Sequence, residues 1–296
     1  MDDALPPSPA TIRALIDEQF PHWAGLPLDP APMEGGSDNL LYRLGDDLVV
    51  RVPRHPNPHG TREDHWLRLL GRVLPVPIPV PLVGGTCGPN RLSFWTISRL
   101  LPGEDATTAP IPDHHAVARD LAAVVLALRS LPWPGPEPGP ENGGRGAPLA
   151  TRDEEVRNAL AALRADPEPG IDLAGAAAVW RDALAAPPHD GAPVWLHGDL
   201  LPGNLLVRDG RLSAVIDWGC LAVGDPAVDL LPAWTLLSPA ARATFRAALD
   251  VDDATWRRGR GWAVSFGLVA LPYHRTRTPG LARVAHRAIV TAVSDL

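Results

Sequence analysis

The spacing of apolar residues changes character about a third of the way along this 296-residue chain. Upstream, residues 40–44 and 48–52 flank Gly45-Asp46-Asp47, the pattern of a hairpin. Residues 80–83 and 91–98 predict two more strands across a Gly/Pro turn. Between the pairs, Trp66, Leu67 and Leu70 form the apolar stripe of a helix capped by Thr61. An earlier helix opens at Ser8-Pro9 and carries Ile12, Leu15 and Ile16. Leu100-Leu101-Pro102-Gly103 interrupts the strands, and the pattern beyond it is mostly helical. Asp113 starts a helix with Val117, Leu121, Val124 and Leu128 at helical spacing. Thr151-Arg152-Asp153-Glu154 matches a capping box before Val156, Leu160 and Leu163. The tract 132–148 is a Pro/Gly stretch too polar and broken to pack, and reads as an ordered excursion or a mobile loop within the second lobe. Short strands at 194–196, 205–208 and 212–216 precede helices near Trp234, 240–249, 256–271 and 281–293. The reading is α+β: a mostly β lobe over residues 1–99, then a mostly α lobe over 100–296.

Composition narrows the function classes. The chain is 45% hydrophobic and 21% charged, with net charge -7. That balance argues against a nucleic-acid partner, which calls for a basic face. No apolar run reaches the length of a membrane span. The first residues lack the basic and apolar stretches of a signal peptide. Two cysteines, Cys87 and Cys220, make neither a disulfide framework nor a metal pair. A cytoplasmic monomer or homodimer is the expectation. All 27 basic residues are arginine.

Chemistry concentrates in residues 194–230. His197-Gly198-Asp199 follows a strand, with Asn204 five residues after the aspartate. Ile216-Asp217-Trp218-Gly219 ends the next hairpin, and Gly224-Asp225-Pro226 with Asp229-Leu230 follows. Phosphoryl transfer needs a base near the attacking hydroxyl and oxygen ligands for Mg²⁺. Asp199 suits the first task; Asn204 and Asp217 suit the second. Singly, each reads as a turn or cap residue; four elements in order do not. His197 reads as a brace for the loop, Asp225 as a helix cap, Trp218 as packing and Cys220 as a small buried residue. Asp229 is open between a structural and a substrate role.

The spelling is a variant of the protein-kinase catalytic and metal loops. It resembles the aminoglycoside phosphotransferase family, with relatives among macrolide, choline and homoserine kinases. The resemblance implies a bilobal protein-kinase-like fold, ATP or GTP with Mg²⁺, and a small hydroxylated acceptor. It places Gly35-Gly36-Ser37-Asp38-Asn39 over the phosphates, with Ser37 and Asn39 as candidate contacts. It puts Arg51 where the family carries a phosphate-pairing lysine, with Glu63 as the partner that fixes it. Arginine keeps the charge and changes its reach and shape. The stretch from Ser98 through Leu101, with Ser98 and Leu100 as candidate contacts, becomes the hinge whose backbone meets the purine. Asp229, Trp234, Tyr273 and His274 become candidates for the acceptor side, where Leu271-Pro272 interrupts a long helix. The expected acceptor is an aminoglycoside-type antibiotic. A macrolide, a metabolite hydroxyl and a nucleotide-binding pseudokinase are the alternatives. A metal-dependent hydrolase using His197, Asp199 and Asp217 ranks behind these, for want of further clustered histidines.

Overall fold

Local rules account for most of the element boundaries in the computed structural model, which describes residues 7–33, 39–55, 60–87, 93–132 and 134–295. Helix α1 (Pro9–Gln19) starts where Ser8 Oγ accepts from Thr11 N and proline takes the first helical position. Strands β1 (Asn39–Leu44) and β2 (Leu48–Pro53) form the hairpin, with Tyr42 opposite Val50 and Leu41 opposite Arg51. Helix α2 (Gly60–Leu70) begins one residue before Thr61, which therefore lies inside the helix. Strands β3 (Pro81–Cys87) and β4 (Ser93–Arg99) complete an antiparallel sheet of order β1-β2-β4-β3. Ile12 and Ile16 of α1 pack with Leu40, Tyr42, Val50, Trp95 and Ile97 in its core. The alternation of buried and open positions along β1 is the period-two pattern of a half-buried strand.

The chain divides into two units. The sheet and its helices belong to the described residues of Met1–Val73 and Pro77–Leu101, and the rest belong to the second unit. There β5 (Glu104–Asp105) leads to α3 (His114–Arg129), capped by Asp113, whose carboxylate accepts from the amides of His115 and Ala116. Helices α4 (Asp153–Ala165) and α5 (Leu173–Ala185) follow. The capping box does not form. Residues Leu149–Arg152 wind into a 3-10 turn that runs straight into α4, and Thr151 Oγ1 donates to the Pro148 carbonyl. Strand β6 (Val194–Leu196) pairs antiparallel with β9 (Ala222–Gly224). Between them, β7 (Leu205–Arg208) and β8 (Arg211–Val215) form a hairpin extended by β5. Helices α6 (Pro232–Thr235), α7 (Pro239–Leu249), α8 (Asp253–His274) and α9 (Pro279–Val293) close the unit. Helix α8 is not interrupted at Leu271-Pro272. It continues to His274, because a proline near the last turn forfeits only one intrahelical bond. No helix among the described residues is long and apolar enough to cross a membrane.

The tract after α3 takes the ordered alternative, and it packs where the sequence reading expected it not to. Val223 N donates to the Pro136 carbonyl and Asp225 N to the Gly146 carbonyl, both at 2.8 Å. These bonds lay the tract along β9. Its backbone polar groups find partners in a strand, which is why a segment with no apolar stripe still packs.

Candidate active site

The second unit gathers the motif residues around one loop. Residue His197 follows β6, and its side chain is wholly buried. Its Nδ1 accepts from Asp199 N at 3.2 Å, so the proton sits on Nε2, which donates to the Ile216 carbonyl at 3.1 Å. One ring thus bridges the loop bearing Asp199 and the segment bearing Asp217. Burial pushes the imidazole down to about 4, so it is neutral at physiological pH. The ring packs on Trp218, centroids 4.5 Å apart, and the indole donates to the Val215 carbonyl.

Asp229 holds the same loop from below. Its two oxygens accept from His197 N and Gly198 N, both at 2.8 Å. Burial pushes its carboxyl up to about 6 against the opposing pull of those amides. Only 1% exposed and fully engaged, Asp229 has no oxygen to offer an acceptor, so its substrate assignment is replaced by a structural one. Between the two, Gly198 has a left-handed backbone at φ 82°, and a Cβ there would stand 2.6 Å from the Cys220 carbonyl oxygen. A side chain at this position is excluded by conformation and space.

The loop presents Asp199 half-buried. Asn204 Nδ2 donates to its Oδ2 at 3.0 Å and to its main-chain carbonyl at 2.9 Å. The amide oxygen of Asn204 is therefore the end facing away from Asp199. The main-chain carbonyl of Asn204 accepts from Ile216 N at 2.9 Å, which ties it to the approach of Asp217. Asp217 is exposed and left-handed at φ 60°, so the strand ends there and its carboxylate is open to solvent. The Cys220 thiol is pushed up to about 12, first by burial and then by the Asp199 and Asp217 carboxylates, with Arg145 opposing. One thiol thus senses both acidic groups.

Downstream, Asp225 caps a 3-10 turn through Ala227 N and pairs with Arg258 of α8 at 2.8 Å, both side chains buried. Arg129 of α3 donates to the Pro226 carbonyl and lies close enough to Asp229 to oppose its upward shift. Trp234 is fully buried and donates to Asp295, so it presents no surface to an acceptor. Tyr273 is 57% exposed beneath the Arg277 guanidinium, and its ring meets His274 edge-on. Arg145 escaped the sequence reading. Its Nη2 stands 3.4 Å from Asp199 Oδ1. The only signal was a lone cation among three glycines.

In the first unit Arg51 Nη1 donates to Glu63 Oε1 at 2.7 Å. Asn39, turned with its oxygen toward the guanidinium, accepts from Nε at 3.2 Å and Nη2 at 3.0 Å. These three side chains line one recess with Asp64 and Thr96. Asn39 therefore meets the arginine, a role not foreseen for it. Ser37 lies outside the described residues. Ser98 is buried in β4 between Val49 of β2 and Pro81 of β3. Leu100 N donates to the Asp47 carbonyl, so that amide is taken and cannot meet a purine as expected.

An antiparallel sheet unit followed by a helical unit carrying this loop defines the protein-kinase-like α+β class. A model of the APH phosphotransferase enzyme family matches residues 30–262, and the chain belongs to that family. Homoserine kinase of Methylocella silvestris is 30% identical over 207 residues, covering 68% of this chain and 54% of that one. Viomycin phosphotransferase of Streptomyces vinaceus is 32% identical over 180 residues, covering 57% and 59%. The matched stretches thus span little more than half the length of these relatives. Among solved structures, the GDP complex of wild-type aminoglycoside 2'-phosphotransferase-IIIa has a TM-score of 0.69 at 18% identity, covering 98% of this chain and 100% of that one. Macrolide 2'-phosphotransferase MphH from Brachybacterium faecium has a TM-score of 0.58 at 26% identity, covering 95% and 98%.

Proposed function

We propose that the protein transfers the γ-phosphate of ATP or GTP to a hydroxyl of a small molecule, with Asp199 as the general base. The observation that carries this is the Asp199 carboxylate, fixed on a loop braced by His197 and Asp229, with Asn204 bonded to it. In the step proposed, the acceptor oxygen forms a bond to the γ-phosphorus as its proton passes to Asp199. The bond from that phosphorus to the β–γ bridging oxygen breaks, and its electrons leave with the nucleoside diphosphate. Catalysis is then mostly positioning and charge stabilisation.

The donor set suits Mg²⁺. Among the described residues no three His, Cys, Asp or Glu side chains group as a metal cage. An ion that takes one or two protein oxygens, with phosphate oxygens and water, needs no such cage. Asp217 and the Asn204 amide oxygen would hold it, and when bound it would neutralise charge on the β- and γ-phosphates. In the first unit, Arg51 would fork onto phosphate oxygens while Glu63 and Asn39 set its orientation. Ser37 would contact phosphate as well.

The acceptor class we propose is an antibiotic hydroxyl of the aminoglycoside type, on family likeness. The relatives' names extend the test panel to viomycin, a macrolide and homoserine. The experiment is turnover of γ-labelled ATP and GTP with Mg²⁺ against kanamycin, viomycin, erythromycin and homoserine. Asp199→Asn should cut turnover by orders of magnitude while nucleotide still binds. Parent-like turnover in that variant sinks the assignment.

A further inference from the structure

We propose that Arg145 is a positioning residue for the base: it holds Asp199 Oδ1 while Asn204 holds Oδ2. The proposal rests on the reading of Asp199 as the base. A carboxylate's last torsion is broad and roughly two-fold, so one donor leaves it free to swing. Donors on opposite oxygens remove that freedom. Here they stand 3.4 Å and 3.0 Å away, on side chains that are mostly shielded.

The arginine is itself held. Its guanidinium lies 5.9 Å from the centroid of the buried Trp262 ring, and its charge opposes the rise of the Cys220 thiol. Arg152 lies 5.8 Å from the same ring and is engaged by Ser265, the Gly143 carbonyl and Glu155.

The backbone that delivers Arg145 is fixed as firmly. The buried Asn142 amide donates to the Arg145 carbonyl at 3.0 Å and to the Cys220 carbonyl at 3.4 Å, and its oxygen accepts from Gly139 N. Gly143, Gly144 and Gly146 take left-handed conformations at φ 62°, 68° and 86°. Gly146 meets Gly224 backbone to backbone, where a Cβ on Gly224 would stand 2.3 Å from the Gly146 oxygen. A tract read as unable to pack thus brings one guanidinium to the base. An arginine needed only for solubility requires none of these constraints.

The reaction supplies the test without an identified acceptor, because water serves as acceptor in Mg-ATP hydrolysis. Arg145→Met should lower kcat on the order of a hundredfold, the cost of a misplaced reacting group, with KM for Mg-ATP within about twofold. Arg145→Lys should recover part of that loss, and guanidinium ion should raise the rate of Arg145→Ala. In an Asp199→Asn background, Arg145→Met should cost nothing further, because the group it positions is gone. The proposal is overturned by an unchanged kcat, by a loss confined to KM, or by the same fold loss in both backgrounds. Parent-like turnover of Asp199→Asn alone instead overturns the assignment of the base. If Arg145→Met does not fold, the lysine variant and guanidinium rescue decide: no gain from either overturns the proposal.

Discussion

Asp229→Asn tests whether the two buried titratable groups that brace the loop bearing Asp199 work against each other. The Asp229 carboxyl is raised from 3.8 to about 6, and the His197 imidazole is lowered from 6.5 to about 4, each chiefly by burial. For Asp229 the folded value lies above the unfolded one. Its contribution is fully present below 3.8 and is lost as pH rises to about 6. For His197 the folded value lies below. Its contribution is present above 6.5 and is lost as pH falls to about 4. At roughly 1.4 kcal/mol per tenfold change in proton affinity, each is worth about 3 kcal/mol. The signs are opposite and the windows overlap, so in the parent the two nearly cancel between about pH 4 and 6. Asparagine removes one of them. The stability of Asp229→Asn relative to the parent should then improve by about 3 kcal/mol from pH 4 to pH 7. Urea unfolding at several pH values reads this by tryptophan fluorescence, for which Trp218 against the His197 ring is a local reporter. A difference between variant and parent that is the same at pH 4 and pH 7 refutes the reasoning.

Two further outcomes follow from packing. Gly224→Ala sets a methyl against the Gly146 carbonyl and should destabilise the protein by about 1–3 kcal/mol, lowering kcat as the tract lifts; thermal unfolding and turnover measured together check it. Cys220, half-buried with its thiol at about 12, should resist iodoacetamide at pH 8 in the native state and react readily only after unfolding, as peptide mapping will show; rapid native alkylation contradicts the raised thiol.

The loop bearing Asp199 was legible because its pattern is local. Asp199 follows a strand, Asn204 closes a 3-10 turn and Asp217 follows a hairpin, at fixed spacing, and short-range rules place all three. The hairpins and most helices were legible for the same reason: their apolar periods and caps lie within one window. What escaped was long-range backbone bonding. Asp229 serves main-chain amides of His197 and Gly198, and an amide donor leaves no trace in residue type. Arg145 is delivered by bonds from Val223 and Asp225 to a tract with no apolar pattern, so nothing local marked it. Trp234 was read as a possible ligand contact because aromatics suit both pockets and cores, and only burial tells them apart. The missing capping box shows a local rule yielding to its neighbours: Leu149, buried at 4% exposure, heads the 3-10 turn that displaces it.

The left-handed backbone at residue 217 also filters what evolution can try there. Of the twenty residues, glycine, asparagine and aspartate tolerate that conformation with least strain. Glycine supplies no oxygen, and asparagine supplies one without charge. A chain drifting away from aspartate at this point therefore passes first through asparagine, which keeps the fold and discards the negative charge in a single substitution. On the role proposed for Asp217, loss of activity at this corner is conformationally cheap, and silent orthologues would be expected to carry that exchange before any sign of a damaged scaffold.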